Sequence, residues 1–402
     1  MALTLESIRG KVTDVDSHES VATPRWKDVF GDRAQKFLDA NKRLLSDMEK
    51  VFGEEIVGDF DDNLPITPQN VWEVKCGGAP SAGDMDRRPA VLDEMGIHRQ
   101  LVFPSFGLLA FSVANGAAGV AVQAAKEEID SAWPAIDAYN EWAGALTSKY
   151  PDRMRVVGVM PTNKPGLTVD GLIAETSRMI KMGVRGLFVS SGHPPAGRSP
   201  GDYALDPWYA MLAEANISLC FHSGGGSGFR ATEVWGYLPQ FRFLWNKEAE
   251  YTAGPFFASN VHITEENFLT AMILGGVFER HPSLRVGAIE VFAHWIGPLA
   301  ERLDFFCDKG RHMDWEGGKD LKLKPSEYLA RHVRVTPAVY EPVEKYVERY
   351  PQLEDVYCYS SDFPHPEGNK WSMKKFYDRL APSVSDAFLK KFFVTNGQLI
   401  VA

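Results

Sequence analysis

Cysteine is scarce, with four residues in a chain of 402. Cys76, Cys220, Cys307 and Cys358 lie far apart and form no C-x-x-C pair, which excludes a disulfide framework or a zinc ribbon as the organising principle. Basic charge is in deficit, 43 Lys and Arg against 53 Asp and Glu, for a net charge of −10. There is no basic run and no basic helical stripe, so the electrostatic footprint of a nucleic-acid binder is missing and no nucleic-acid partner is expected. The N-terminus, Met-Ala-Leu-Thr-Leu-Glu-Ser, lacks a charged segment followed by an apolar core. No secretory signal is read there, and a cytoplasmic location is expected. One stretch without charge, Leu101 to Ala125, is long enough for a bilayer. It is interrupted by Pro104, Ser105, Gly107, Ser112, Asn115, Gly116 and Gly119, and reads as a strand end, a loop and a buried helix, so no membrane partner is expected.

What is present is the material of a large core, with 45% hydrophobic and 24% charged residues, ordinary globular usage. Eight short β-branched or aromatic runs bounded by turn signals fall at 12–16, 100–104, 155–160, 185–190, 217–222, 284–290, 332–336 and 357–361. Helical periodicity occupies the spaces between most of them, at 129–149, 167–182, 207–215 and 266–280. Strands alternating with helices predict βαβ units and a parallel sheet. Eight units predict an α/β fold of the (β/α)8 TIM-barrel type, a single domain over 1–402 whose working residues sit where strands end. Two connections are long, about 19–99 after strand 1 and about 223–265 after strand 5. Without repeats or low complexity, they read as lid-like insertions at the catalytic face.

Polar, reactive side chains stand at the ends of these runs. Asp16 and His18 close the first run two positions apart, and on a strand such residues point the same way. His222 ends the fifth run just before Ser223-Gly224-Gly225-Gly226, Glu290 ends the sixth and Asp362 the eighth. Strand ends of a barrel surround one axis, so residues hundreds of positions apart can meet at a single cation. Two imidazoles and two carboxylates suit zinc, manganese or iron(II), whereas an all-oxygen set favours magnesium or calcium. Each residue also has a plainer explanation. Asp362 can cap the turn before Pro364, His222 can be a core histidine, and Glu290 can pair with Arg302 or Arg285.

With these residues in view the chain resembles the amidohydrolase-related (amidohydrolase 2) metal-dependent TIM-barrel family, the group of the aminocarboxymuconate-semialdehyde and γ-resorcylate decarboxylases. The resemblance runs nearly the whole length through Asp16-Ser17-His18, Leu92-Asp-Glu-Met-Gly96-Ile97, Tyr139-Asn140-Glu-Trp142, Pro151-Asp-Arg153, Gly183-Val-Arg-Gly186, His222, His281-Pro282-Ser-Leu284-Arg and Ser361-Asp362-Phe-Pro364-His365-Pro366-Glu-Gly368. The last motif is the most specific. The resemblance implies that Asp16, His18, His222 and Asp362 hold a divalent metal, zinc first, with manganese or iron as alternatives. One departure stands on the sixth strand, where the decarboxylases carry a histidine and this chain has Ala288-Ile289-Glu290-Val291-Phe292, with Trp295 five residues after the glutamate. A carboxylate there can act as a general base or as a further ligand, and it puts the decarboxylases' histidine proton donor in doubt.

Three functions are weighed. The first is a metal-dependent hydrolase of a small organic acid derivative, cleaving a C–N, C–O or C–S acyl bond with Glu290 or Asp362 as base, which the glutamate favours. The second is a non-oxidative metal-dependent decarboxylase of an aromatic or unsaturated acid. The third, a barrel without catalysis, predicts an incomplete ligand set, and here the set is complete. Arg230, which could clamp a carboxylate, Trp235 and His294 are the substrate-binding candidates. His365, between two prolines, is read as orienting a ligand. A small-molecule substrate and a homodimer or higher homo-oligomer, as in many relatives, complete the expectation.

Overall fold

Seven of the eight runs read as strands form strands, because β-branched and aliphatic side chains in them can be buried on both faces. The computed structural model describes residues 3–46, 62–118, 122–226, 238–241, 254–308 and 321–401. Its principal strands are β1 (Val12–Asp14), β2 (Ile97–Val102), β3 (Met154–Val156, continued after Val157 by Gly158–Val159), β4 (Gly186–Phe188), β5 (Ser218–His222), β6 (Arg285–Ile289) and β7 (Val333–Val335). Every residue of β3, β4, β5 and β7 is buried.

All neighbouring pairs in this series are parallel, β1 with β2 with the first part of β3, and the second part of β3 with β4 through to β7. The interruption falls at Val157, whose N–H still donates to the Val102 carbonyl at 2.8 Å. The eighth position is taken by residues 357–363, which form bridges instead of a continuous strand. Val335 pairs with Tyr357 on one side and Ser17 with Phe363 on the other. The Val15 N–H donates to the Tyr359 carbonyl at 3.3 Å and the Asp362 N–H to the Asp16 carbonyl at 2.9 Å. Hydrogen bonds therefore pass around all eight positions, the parallel α/β arrangement that the eight-run pattern predicts.

Helices separate the strands, as βαβ connections require. These are α1 (Arg88–Met95) before β2, α2 (Phe106–Ala114) and α3 (Lys126–Lys149) before β3, α4 (Val169–Lys181), α5 (Asp206–Glu214), α6 (Ile263–Leu274), α7 (Ile296–Phe306) and α8 (Pro325–His332), then α9 (Val343–Arg349) and α10 (Ser372–Leu380). Among the described residues no helix is long and apolar enough to cross a membrane. Within the uncharged stretch, α2 buries Phe106 and Phe111, at 2% and 0% exposure.

The first long connection contains the helices Trp26–Phe30, Asp32–Ala40 and Pro68–Glu73 besides α1. It stops at Ile97, three residues earlier than the apolar run suggests, because His98 and Arg99 belong to the strand although they are polar. Its aromatic face is anchored on α2, with Phe30 stacked on Phe106 at 4.5 Å and Trp26 at 4.8 Å from the same ring. Of the second long connection only 223–226, 238–241 and 254–265 are described, so most of the expected second lid lies outside the described residues, as do Arg230 and Trp235. At the end of the ring opposite the strand C-termini, the short helix Gln398–Val401 closes the floor. Ser218 Oγ donates to the Ile400 carbonyl at 3.0 Å and Arg334 Nε to the Asn396 carbonyl at 3.0 Å.

One glycine after the eighth position is dictated by closeness of approach. A Cβ on Gly368 would lie 2.0 Å from the Ser361 carbonyl oxygen. Gly368→Ala is expected to lower stability by about 1–3 kcal/mol through forced backbone displacement, read as a fall in the urea midpoint at unchanged slope. An unchanged midpoint would mean that this loop does not pack on residues 361–362.

Candidate metal centre

Asp16 and His18 follow β1 on the same alternation as Asp14, and all three are buried. His222 is the last residue of β5, and Glu290 comes directly after β6. The four side chains meet Asp362 around two imidazole nitrogens. His18 Nε2 lies 3.6 Å from Asp16 Oδ1 and 3.5 Å from Asp362 Oδ1. His222 Nε2 lies 3.5 Å from the same Asp16 oxygen and 3.3 Å from Glu290 Oε2. One atom each of Asp16, His18 and His222 fall within 4.8 Å of one another, and so do one atom each of His18, Asp362 and His365.

These contacts are too long for charge-assisted hydrogen bonds, which close to about 2.7–2.9 Å. Asp16 Oδ1, His18 Nε2, His222 Nε2 and both oxygens of Asp362 are buried without a hydrogen-bond partner. Buried polar atoms are ordinarily paired, and an orphaned set calls for an explanation. Two donors bound to one cation at about 2.0–2.2 Å in a tetrahedral arrangement lie roughly 3.3–3.6 Å apart, the separation seen here. His222 Nδ1 is 3.1 Å from the Ser223 carbonyl. A carbonyl can only accept, so Nδ1 carries a proton and Nε2 is the nitrogen that faces the cluster. The residues fit a divalent cation.

The electrostatics point the same way. Burial lifts Asp16 to about 6 in spite of His222. Burial, and then repulsion from Glu290 and Asp16, drives Asp362 well above the usual carboxylate range. Burial pulls His222 down, but the pull of Glu290 and Asp16 outweighs it and raises the imidazole to about 9. The pocket thus concentrates negative charge and favours a positive one at its centre.

Glu290 is not paired with Arg302 or Arg285. Arg302 reaches Glu266 at 2.6 Å, and Arg285 sits at the other end of β6. The Glu290 carboxylate instead accepts the Ser223 hydroxyl, and its N–H donates to Thr336 Oγ1 at 2.8 Å. Its φ of +55°, with +61° at Phe292 and +47° at Asp362, is a conformation that non-glycine residues rarely adopt and that clusters at working sites. His365 stacks on His18 with ring centroids 3.9 Å apart and puts Nδ1 3.3 Å from Asp362 Oδ1, so it touches both a candidate ligand and the acid. His294 stands apart from this cluster. Its ring meets His262 edge-on at 4.8 Å and its Nδ1 lies 3.6 Å from Glu341.

Several residues that brace the cluster are not evident from the sequence. Asp14 binds Ser361 and Gln100 beneath the cluster. Ser223 and Thr336 hold Glu290, and Glu341 accepts the N–H groups of Ala293, His294 and Ala338. Asp14 had a signal, since it shares the alternation with Asp16 and His18. The others are ordinary loop residues whose partners are remote in sequence.

Comparison with known proteins agrees with this architecture. The family profile described as amidohydrolase matches residues 109–397, well over half of the chain, with Asp16 and His18 lying upstream of the matched span. An amidohydrolase from Mycobacterium avium subsp. paratuberculosis is similar in structure, with a TM-score of 0.62 and 19% identity over 98% of both chains. So is the 2,6-dihydroxybenzoate decarboxylase from Rhizobium, with a TM-score of 0.57 and 13% identity, covering 97% of this chain and 98% of that one. The 5-carboxyvanillate decarboxylase from Novosphingobium aromaticivorans, complexed with manganese and 4-hydroxy-3-methoxy-5-nitrobenzoic acid, gives a TM-score of 0.54 and 18% identity, covering 98% and 96%. No curated protein matches the sequence. The chain is an enzyme and belongs to the amidohydrolase family.

Proposed function

We propose that this enzyme is a metal-dependent, non-oxidative decarboxylase of an aromatic or unsaturated carboxylic acid. The observation that carries the reading is the Asp362 carboxyl. It is buried, neither oxygen accepts a hydrogen bond, and burial, then Glu290 and Asp16, push it above the usual carboxylate range. A carboxyl in a buried site at the edge of the ligand set is placed to carry the proton that replaces a carboxylate on carbon. The named decarboxylases among the structural neighbours support the same reading.

Asp16, His18 and His222 would hold the cation, zinc by its donor set or manganese as in the 5-carboxyvanillate decarboxylase, with Asp362 at its edge. When bound, the cation supplies the positive charge that fixes the substrate's carboxylate and adjoining oxygen. Asp362 then gives its proton to the carbon that loses carbon dioxide. The C–C bond breaks, its electron pair takes that proton, carbon dioxide leaves neutral, and the Asp362 carboxylate regains a proton from solvent through the half-exposed side of the pocket where His365 lies.

A second reading, hydrolysis, is favoured by Glu290. Its carboxylate stands 3.3 Å from His222 Nε2 and is oriented by Ser223, as a base for an attacking water would be. Turnover in oxygen-18 water separates the two, since hydrolysis labels the product acid while decarboxylation releases carbon dioxide and leaves the product unlabelled. Hydroxylated benzoic acids assayed for carbon dioxide are the first panel, and label in a product acid without carbon dioxide release would overturn the main reading.

Removal of divalent ions with a chelator is expected to abolish turnover, with return on adding manganese or zinc, and His222→Ala should bind less than one equivalent of metal by elemental analysis. Asp362→Asn is expected to keep a folded protein and lose about 10²- to 10⁴-fold in kcat. Glu290→Gln separates the readings by rate, because a decarboxylase retains kcat within about tenfold whereas a hydrolase loses the full general-base contribution of about 10²- to 10⁴-fold.

A further inference from the structure

The end of the ring opposite the metal centre gathers four arginines, one from each of four strand starts. Arg99 lies in β2, Arg155 in β3, Arg185 directly before β4, and Arg285 opens β6. The strand register brings them together. Arg155 pairs across to Leu101, two residues beyond Arg99. Its Nη1 donates to the Arg185 carbonyl at 3.3 Å and the Asn216 carbonyl at 3.1 Å. Asn216 is two residues before Ser218, and Ser218 is the register partner of Arg285.

The charge of this group is not answered by the protein. Among the described residues none of the four guanidinium groups makes an ion pair, and the Asp152 carboxylate acts on Arg99. Arg155 is 7% exposed. Burial, and then the charges of Arg99, Arg285 and Arg185, pull its guanidinium down to about 10. The Nε atoms of Arg155 and Arg99 are buried and without a hydrogen-bond partner, although an unmade bond on a buried charged donor is expensive. Arg185 is spent on the Ile180 and Val184 carbonyls through Nη1, and Arg99 reaches the Pro151 carbonyl at 2.5 Å through Nη2, so each keeps donors in reserve. The Arg285 side chain makes no hydrogen bond among the described residues.

We propose that Arg99, Arg155, Arg185 and Arg285 form a binding site for a small oxyanion at the floor of the barrel, on the face away from the metal centre. Guanidinium groups present forked N–H pairs that match phosphate and carboxylate oxygens, and a bound anion both satisfies the orphaned donors and relieves the repulsion among four cations. The central arginine is buried and the three around it are partly exposed, so an anion can approach from their side. Such an anion binds the folded chain alone and so raises its stability by mass action.

The test is thermal unfolding and isothermal titration of the full chain with inorganic phosphate and, separately, with acetate, each against sodium chloride at matched ionic strength. A saturable rise in Tm with phosphate or acetate above the chloride control is expected, and the better of the two identifies the site as one for a tetrahedral anion or for a carboxylate. Arg285→Gln and Arg99→Gln should each weaken the apparent affinity about tenfold or more, as loss of a charge-assisted pair does. Phosphate could also reach the metal centre, which is why the variants decide. Equal response in wild type and in whichever of the two variants folds, or a response no larger than that to chloride, overturns the proposal.

Discussion

A buried carboxylate holds the ring shut. Asp14 is fully buried and accepts the Ser361 N–H at 2.8 Å, the Ser361 hydroxyl at 2.5 Å, Gln100 Nε2 at 2.7 Å and the Asp16 N–H at 3.3 Å. These partners come from the first, second and eighth positions of the barrel. The eighth position has the fewest ladder bonds and gains most from this bracing. Gln100 in turn accepts from Arg88, whose other donors reach the carbonyls of His18 and Ser81. The same network that closes the sheet therefore fixes the backbone of His18 and of the residue before Asp362. Loss of one member would strand a buried polar group, at about 1–3 kcal/mol, and would loosen two candidate ligands together.

Other buried carboxylates do for the loops what Asp14 does for the strands. Glu19 accepts the N–H groups of Ser105 and Phe106 at 2.8 and 2.7 Å, satisfying the otherwise unpaired start of α2. Glu341 takes the N–H groups of Ala293, His294 and Ala338 and so ties the loop after β6 to the loop after β7. Glu265 is held by the Ser191 and Thr264 hydroxyls, joining the end of β4 to the start of α6. Each carboxylate gathers donors that would otherwise be buried and empty. Together they make it affordable for Glu290, Phe292 and Asp362 to stand in left-handed conformations that cost of order 1–3 kcal/mol each.

The alternation of apolar runs with helical periodicity made the barrel legible, because strands buried on both faces must be written in β-branched and aliphatic residues. Boundaries moved where other forces acted. β2 takes in the polar His98 and Arg99 because ladder bonds and the cover of Arg153 on the His98 carbonyl suffice there. The candidate ligands were legible as polar residues ending apolar runs, which is how Asp16, His18, His222, Glu290 and Asp362 stand out. What the sequence could not carry was pairing. Nothing around Ser361 announces Asp14, and nothing around Ala293 announces Glu341, since these contacts depend on register and loop path. The sequence equally hid the arginine floor, whose members are spread over nearly two hundred residues and form no run.

The two carboxyls flanking the imidazoles differ in their surroundings. Glu290 sits beside a hydroxyl donor and is 24% exposed. Asp362 has no donor on either oxygen and 7% exposure, conditions that favour the neutral acid. A barrel that needed only a base could have dispensed with the second environment, and one that needed only an acid could have dispensed with Ser223. In the decarboxylase reading the pair has a simpler logic. The Glu290 carboxylate adds its repulsion to the burial that pushes Asp362 above the usual carboxylate range, and so favours a proton on the group placed to deliver it. The departure from histidine on the sixth strand then need not mean a change of reaction, because the acid's proton is secured by the field of its neighbours as well as by its own identity.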